Sequence, residues 1–297
     1  MFHQAVLLEE AINGLITDPN GIYVDATFGG GGHSAAILKH IDNGRLIAFD
    51  QDEDTAANRI QDERFLLIHA NFRYLKNFLR YHNAIPVSGI LADLGISSFQ
   101  IDTPEKGFSL RFDEKLDMRM DRNQEKDAWF VVNHYSEEEL TRIFSDFGEI
   151  RHARSLSKAI VEARDETPID TTGRLAEIAG VRAPKNLVNK FNGQVFQAIR
   201  MEVNDESGSL LAFLNQCMEV IRTGGRLVVI SYHSLEDRMV KNFMKAGNEK
   251  GEAEKDFFGH SSSPFRQISR KPVTPGIDEL KRNPRSRSAK MRIAEKI

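Results

Sequence analysis

The run Val24-Asp25-Ala26-Thr27-Phe28-Gly29-Gly30-Gly31-Gly32-His33-Ser34 sets a carboxylate at the end of an apolar stretch and four glycines ahead of a helical pattern. Glycine tolerates positive φ and lets a ligand approach the main chain. A helix starting near His33 turns free N–H groups towards whatever sits there. This is the make-up of a nucleotide-type cofactor loop, and two ligands compete for it. Gly30-x-Gly32-x-x-Ala35 meets the dinucleotide fingerprint, and Asp50 follows at about the 20-residue spacing which that fingerprint asks. Against NAD stands Asp25, because a carboxylate facing the loop repels a pyrophosphate and attracts the ammonium and sulfonium of S-adenosylmethionine (SAM). The sign of the charge therefore favours SAM, with NAD and a purely structural glycine turn as the alternatives.

At 297 residues and 40% hydrophobic, the chain can bury a substantial core and falls in the range of one large or two ordinary domains. No stretch approaches the roughly 18 consecutive apolar residues of a membrane span, and Met1 to Glu10 lack the cationic and apolar regions of a secretion signal. A cytoplasmic protein is expected. The single cysteine, Cys217, excludes an intramolecular disulfide and a cysteine-based zinc cluster. It lies in a helix-like apolar stretch that predicts burial rather than reactivity, which leaves no thiol to attack a pyrimidine ring. Net charge is −3, but residues 264–297 carry ten Lys or Arg against three acids, +7 net, leaving −10 on the rest. A basic terminal segment on an acidic body reads as a phosphate-binding surface, with a solvated tail as the alternative.

The elements that must position these residues follow from the apolar pattern. Strand-like Ile22 to Val24, Leu46 to Asp50, Phe65 to His69 and Gly89 to Leu94 alternate with helical patterns at His33 to Ile41, Asp52 to Ile60 and Tyr74 to Tyr81. That order predicts parallel βαβ units, which bind ligands at the carboxyl ends of their strands. From about Pro104 to Asn192 the patterns are helical only, including Ser136 to Phe147, Ala153 to Ala163 and Thr171 to Val181. Ser136 and Glu139 form a capping box there. A strand at Arg226 to Ser231 resumes the sheet after the Thr223-Gly224-Gly225 turn, and Phe265 to Lys271 and Lys290 to Lys296 predict an antiparallel pair. The expected organisation is a discontinuous α/β domain, 1–103 and 193–297, with an inserted all-helical substrate-recognition subdomain at 104–192.

Seven spaced motifs then agree in order: His3-x-x-Val6-Leu7-Leu8-Glu9-Glu10, Asp25 to Ser34, Asp93-Leu94-Gly95-Ile96-Ser97-Ser98-x-Gln100, Lys106-Gly107-Phe108-Ser109, Asp117-Met118-Arg119-Met120-Asp121, Phe196-Gln197-Ala198-Ile199-Arg200 and Ser231-Tyr232-His233-Ser234-Leu235-Glu236-Asp237-Arg238. Together they resemble the bacterial 16S rRNA (cytosine-N4) methyltransferases, the MraW or RsmH family, across essentially the whole chain. The family more often has arginine where Lys106 stands, so a bidentate contact from that position is lost. The resemblance implies a class I SAM-dependent methyltransferase fold, Rossmann-like and mostly parallel with an antiparallel C-terminal strand. It further implies N4-methylation of a decoding-site cytosine in 16S rRNA of the small ribosomal subunit, SAM as donor and no metal. Cofactor contacts carried over from the family fall on Gly31, Gly32, His33, Asp50, Phe72, Asp93 and Gln100.

Physical roles can be assigned to these positions. Asp50 can accept from ribose hydroxyls, Phe72 can pack on an adenine face, and Gly31 to His33 let the backbone reach the methionine half; helix capping for Asp50 and core packing for Phe72 are the structural alternatives. Asp93 is the expected catalytic residue. A cytosine amino group is a poor nucleophile because its lone pair is delocalised into the ring, and an acceptor that holds its N–H can bias that lone pair towards the methyl group. Asp93-Leu94-Gly95-Ile96 lacks the prolines and the aromatic of the better-known amino-methyltransferase tetrad, so a stacking mechanism is not borrowed from it. His233 is a further candidate for touching the target or its phosphate, with an ordinary loop histidine as the alternative. Arg111, Arg119, Arg122, Lys185, Lys190, Arg282, Arg285 and Arg287 are candidate phosphate contacts. An NAD(P)-dependent oxidoreductase and a non-catalytic RNA-binding protein remain as rival functions, and a homodimer stays open.

Overall fold

Residues 5–252 and 263–297 are described by the structure, a computed structural model; His3, which opens the first motif, lies outside them. The βαβ rhythm is present: α1 (Leu8–Leu15), β1 (Ile22–Asp25), α2 (Gly32–His40), β2 (Arg45–Asp50), β3 (Phe65–His69), α3 (Leu75–Tyr81) and β4 (Val87–Asp93). The helix expected over 52–60 is instead a 3-10 turn, Glu53–Asn58, opened by the Asp52 carboxylate accepting from Asp54 N. Side chains of this kind compete with the backbone for hydrogen bonds and favour caps and turns over a continuing helix. Six helices follow: α4 (Ser98–Asp102), α5 (Ala128–His134), α6 (Glu137–Asp146), α7 (Ala153–Glu166), α8 (Thr172–Arg182) and α9 (Val188–Val203). The alternation then returns with α10 (Glu206–Val220), β5 (Ile221–Ser231), α11 (Ser234–Ala246), β6 (Phe265–Gln267), α12 (Ile277–Arg282) and β7 (Lys290–Lys296).

The chain divides into two compact units, Met1–Gly95 with Ser207–Ile297, and Ile96–Glu206. In the first, seven strands form one sheet in the order β3-β2-β1-β4-β5-β7-β6, with β7 antiparallel to both neighbours. Both faces are covered, so the strands read apolar throughout. Val24, Ile47, Phe49 and Ile90 pack with Leu75 of α3, Phe213 of α10 and Phe243 of α11, whereas Tyr23, Leu46 and Leu91 pack with Ile12, Leu15 and Ile37 of α1 and α2. Cys217 is buried in the first of these layers, and burial pushes its thiol well above the ordinary range. β1 has β2 on one side and β4 on the other. Strand order reverses there, which opens the ligand crevice of such sheets at the carboxyl ends of β1 and β4.

The helical unit holds its own core, with Leu140, Phe144, Leu156, Leu175, Val195 and Ile199 among its buried residues. The capping box of α6 forms as expected: Ser136 Oγ accepts from Glu139 N at 3.1 Å, and the Glu139 carboxylate accepts from Ser136 N at 2.8 Å. α9 runs unbroken through residue 193, because Val195, Ile199 and Val203 continue one buried stripe at four-residue spacing. The compact helical unit runs from Ile96 to Glu206.

Candidate active site

Past β1 the chain turns through Thr27 and Phe28 into the glycines. Gly31 caps α2 in the left-handed region at φ 76, and a side chain there would meet the Phe28 ring at 3.1 Å, so the bend needs glycine. The first-turn amides of α2, those of Gly32 and His33 included, have no acceptor within the helix. Asp25, however, does not face the loop. It is fully buried, Oδ2 accepting from Ser34 Oγ at 2.7 Å and Oδ1 from Thr27 N at 3.1 Å, and burial raises its pKa. The expectation that its charge meets the ligand is therefore corrected: two local donors satisfy it inside, where it ties the loop to α2. Accessible negative charge comes instead from the ends of β2 and β4.

β4 outruns β1, since Asp25 lies opposite Leu91 and Asp93 stands two residues further on. Asp93 N donates to Thr27 Oγ1 at 2.7 Å, and its Oδ1 accepts from the Tyr232 hydroxyl at 2.8 Å. Its Oδ2 lies 3.8 Å from His33 Nδ1, and the side chain keeps 16% exposure. Burial pushes the carboxyl up to about 6; His33 and the Tyr232 hydroxyl pull it down, while Asp25 and Glu236 push it further up. Tyr232 is raised by burial and by Asp93, and so remains a proton donor. The far nitrogen of His33, Nε2, is 3.0 Å from Val6 O, which anchors the ring at both ends. Tyr232 lies inside the seventh motif but was assigned no role; its place directly after the Ser231 strand end was the available signal.

Asp50 ends β2. Its Oδ2 accepts from Gly29 N at 2.8 Å and its Oδ1 from Asp52 N at 2.9 Å, which leaves each oxygen a further lone pair. Burial pushes this carboxyl, too, up to about 6. Phe72 is half-buried on a 3-10 turn after β3, edge-to-face with Phe213 at 5.2 Å. Gly31, Gly32, His33, Asp50 and Asp93 thus gather at the strand ends of the sheet unit. Gln100 belongs to the helical unit, where it is buried in α4 and its Oε1 accepts from Ser97 N at 3.1 Å in a capping box. His233 Nε2 lies 3.1 Å from Glu236 Oε1 without hydrogen-bonding geometry. Two of the candidate cations are engaged locally: Arg111 pairs with Asp102 at 2.5 Å, and Arg119 donates to Asp117 and to the carbonyls of Arg122 and Gln124.

These residues fit SAM. Two reachable carboxylates suit a ribose diol and cationic centres, the open amides of α2 suit a carboxylate, and the paired negative charge disfavours a pyrophosphate. A mostly parallel sheet whose crevice is walled in this way is that of a class I SAM-dependent methyltransferase. Within that class the chain belongs to the MraW methylase family, whose model matches residues 1–297.

It is 53% identical over 297 residues to the Ribosomal RNA small subunit methyltransferase H of Flavobacterium johnsoniae, covering 100% of this chain and 98% of that protein. It is 51% identical over 296 residues to the protein of the same name from Bacteroides fragilis, at 99% and 97% coverage. Among solved structures, an rRNA methylase from Streptococcus thermophilus aligns over 97% of this chain and 93% of its own with a TM-score of 0.42 and 13% identity. Neither the oxidoreductase nor the non-catalytic alternative is favoured by the family match or by the two Ribosomal RNA small subunit methyltransferase H relatives. Among the described residues, no helix is long and apolar enough to cross a membrane.

Proposed function

We propose that this protein methylates N4 of a decoding-site cytosine in 16S rRNA, acting in the cytoplasm on the small ribosomal subunit. Asp93 carries the reading: its backbone is fixed on Thr27, its carboxylate accepts from Tyr232 with His33 nearby, and the side chain is still partly exposed. Bound SAM supplies an electrophilic methyl group on its sulfonium. Backbone amides of Gly32 and His33, with the Gly31 bend, would hold its methionine half, Asp50 its ribose and Phe72 its adenine, with Asp93 completing the contacts of the sheet unit; Gln100 is a further cofactor contact that the family resemblance implies. Asp93, ionised above about pH 6, accepts an N–H of the cytosine amino group, turns the nitrogen lone pair towards the methyl, and takes the proton that N4 must lose. Alignment of this kind can contribute about 7–11 kcal/mol in favourable cases. The target base must leave its stack, or already be unstacked, to reach a strand-end crevice.

Mass mapping of small-subunit rRNA from cells with and without the protein tests this. Loss of one N4-methyl mark is expected; an unchanged methylation map would contradict it. Labelled-methyl transfer to naked RNA and to assembled subunits identifies the acceptor, and gel filtration of the active enzyme separates monomer from homodimer.

A further inference from the structure

Tyr232, whose hydroxyl holds Asp93, also walls a cavity of about 310 Å³ in the sheet unit, a volume within the usual range of ligand pockets. Arg287 and Lys290, at and just before the start of β7, line it together with Thr274 and with Ser234, which opens α11. No carboxylate lines it among the described residues. Lys290 Nζ lies 3.7 Å from Asp237 Oδ2, but Asp237 is already engaged by the Arg292 guanidinium at 2.7 and 3.1 Å. Arg287 is exposed and forms no ion pair among the described residues. His233 lines the same cavity with both ring nitrogens buried; Nε2 lies 3.1 Å from Glu236 Oε1 without hydrogen-bonding geometry, and Nδ1 has no hydrogen-bond partner, a cost that a polar group bound at Nδ1 would relieve.

We infer that this cavity seats a backbone phosphate of the RNA strand, next to the nucleotide being methylated. The inference rests on the proposed function and deepens it. Two cations, hydroxyls and the free Nδ1 of the imidazole match a tetrahedral anion better than an apolar ligand. A guanidinium can hold two phosphate oxygens at once. The shared Tyr232 wall sets this phosphate beside Asp93, and the +7 segment 264–297 gives the flanking strand a basic surface to follow. The site would thus fix the register of the RNA backbone, and so which base arrives at Asp93.

The test compares wild type with Arg287→Glu and Arg287→Gln for binding of small ribosomal subunits across a salt series, alongside calorimetric binding of SAM. Subunit affinity is expected to fall roughly tenfold in the charge reversal and severalfold in the neutral variant. The salt slope should drop by about one unit, as for loss of one phosphate contact, and SAM affinity should stay unchanged. Undiminished subunit affinity and salt slope in both variants would overturn the inference. If Arg287→Glu lost SAM binding as well, Arg287→Gln decides: a severalfold loss supports the phosphate seat and full affinity refutes it. Absence of methyl transfer by the wild type would instead defeat the proposed function, which keeps the two failures distinguishable.

Discussion

The strand-end carboxylates of the sheet unit and the paired carboxylates of the helical unit are treated in opposite ways. In the sheet unit Asp25, Asp50 and Asp93 sit at strand ends where burial wins, and all three are pushed above the ordinary range. In the helical unit burial also pushes Asp117 and Glu202 up, but Arg119 holds the first below that range, and Tyr135, Arg142 and Lys126 hold the second there. Compensated charge is architectural: Asp117 with Arg119 closes a loop, and Glu202 fastens α5 and α6 to α9 through Tyr135 at 2.7 Å and Arg142 at 3.0 Å. Charge left undercompensated costs the fold stability and is where chemistry is to be expected.

The contrast can be broken by mutation. Asp93→Ala should lower the rate of methyl transfer by about 10²–10⁴, the span of a positioned acid or base; a single-turnover assay reads it. Asp93→Asn should stabilise the protein at pH 8 by an amount on the order of 3 kcal/mol, from a shift of about two units. The folded pKa lies above the unfolded one, so the wild-type carboxylate is penalised only as pH rises through 4 to 6. The gain of the variant should therefore vanish near pH 4 in thermal melts.

Tyr232→Phe removes a hydrogen bond that favours the Asp93 carboxylate, so transfer should slow about 10- to 100-fold, with the acidic limb of its pH profile moved to higher pH. Glu202→Gln should show the reverse pH behaviour. It should cost roughly 1–3 kcal/mol at neutral pH, and because the folded pKa is depressed, that deficit should shrink as the pH falls below about 4. Chemical denaturation at pH 7 and pH 4 checks it.

Much of this was legible in the sequence because periodicity survives burial. β1 to β4, the terminal antiparallel pair and the capping box of α6 declare themselves through apolar alternation and one Ser-Glu spacing. The family motifs carried the methyltransferase reading, which the family match bears out. What one dimension could not show was direction. Asp25 has the right type and place, yet its side chain turns inward to Ser34 and Thr27. Tyr232 is 139 residues from Asp93 in the chain and bonds it directly, and no local pattern marks such a pair. Likewise Arg119 looks like a phosphate ligand until its donors are found spent on Asp117 and two loop carbonyls.

Asp93, a partly exposed carboxylate at the end of β4, is proposed to receive the amino proton of the target base. The pH dependence of single-turnover methyl transfer, with SAM and small subunits saturating, in wild type and in Asp93→Asn reads this proton transfer. A wild-type rate that climbs through an apparent pKa near 6, and a low, flat profile in the variant, are expected. An Asp93→Asn enzyme that keeps the wild-type rate and the same rising limb would contradict the claim.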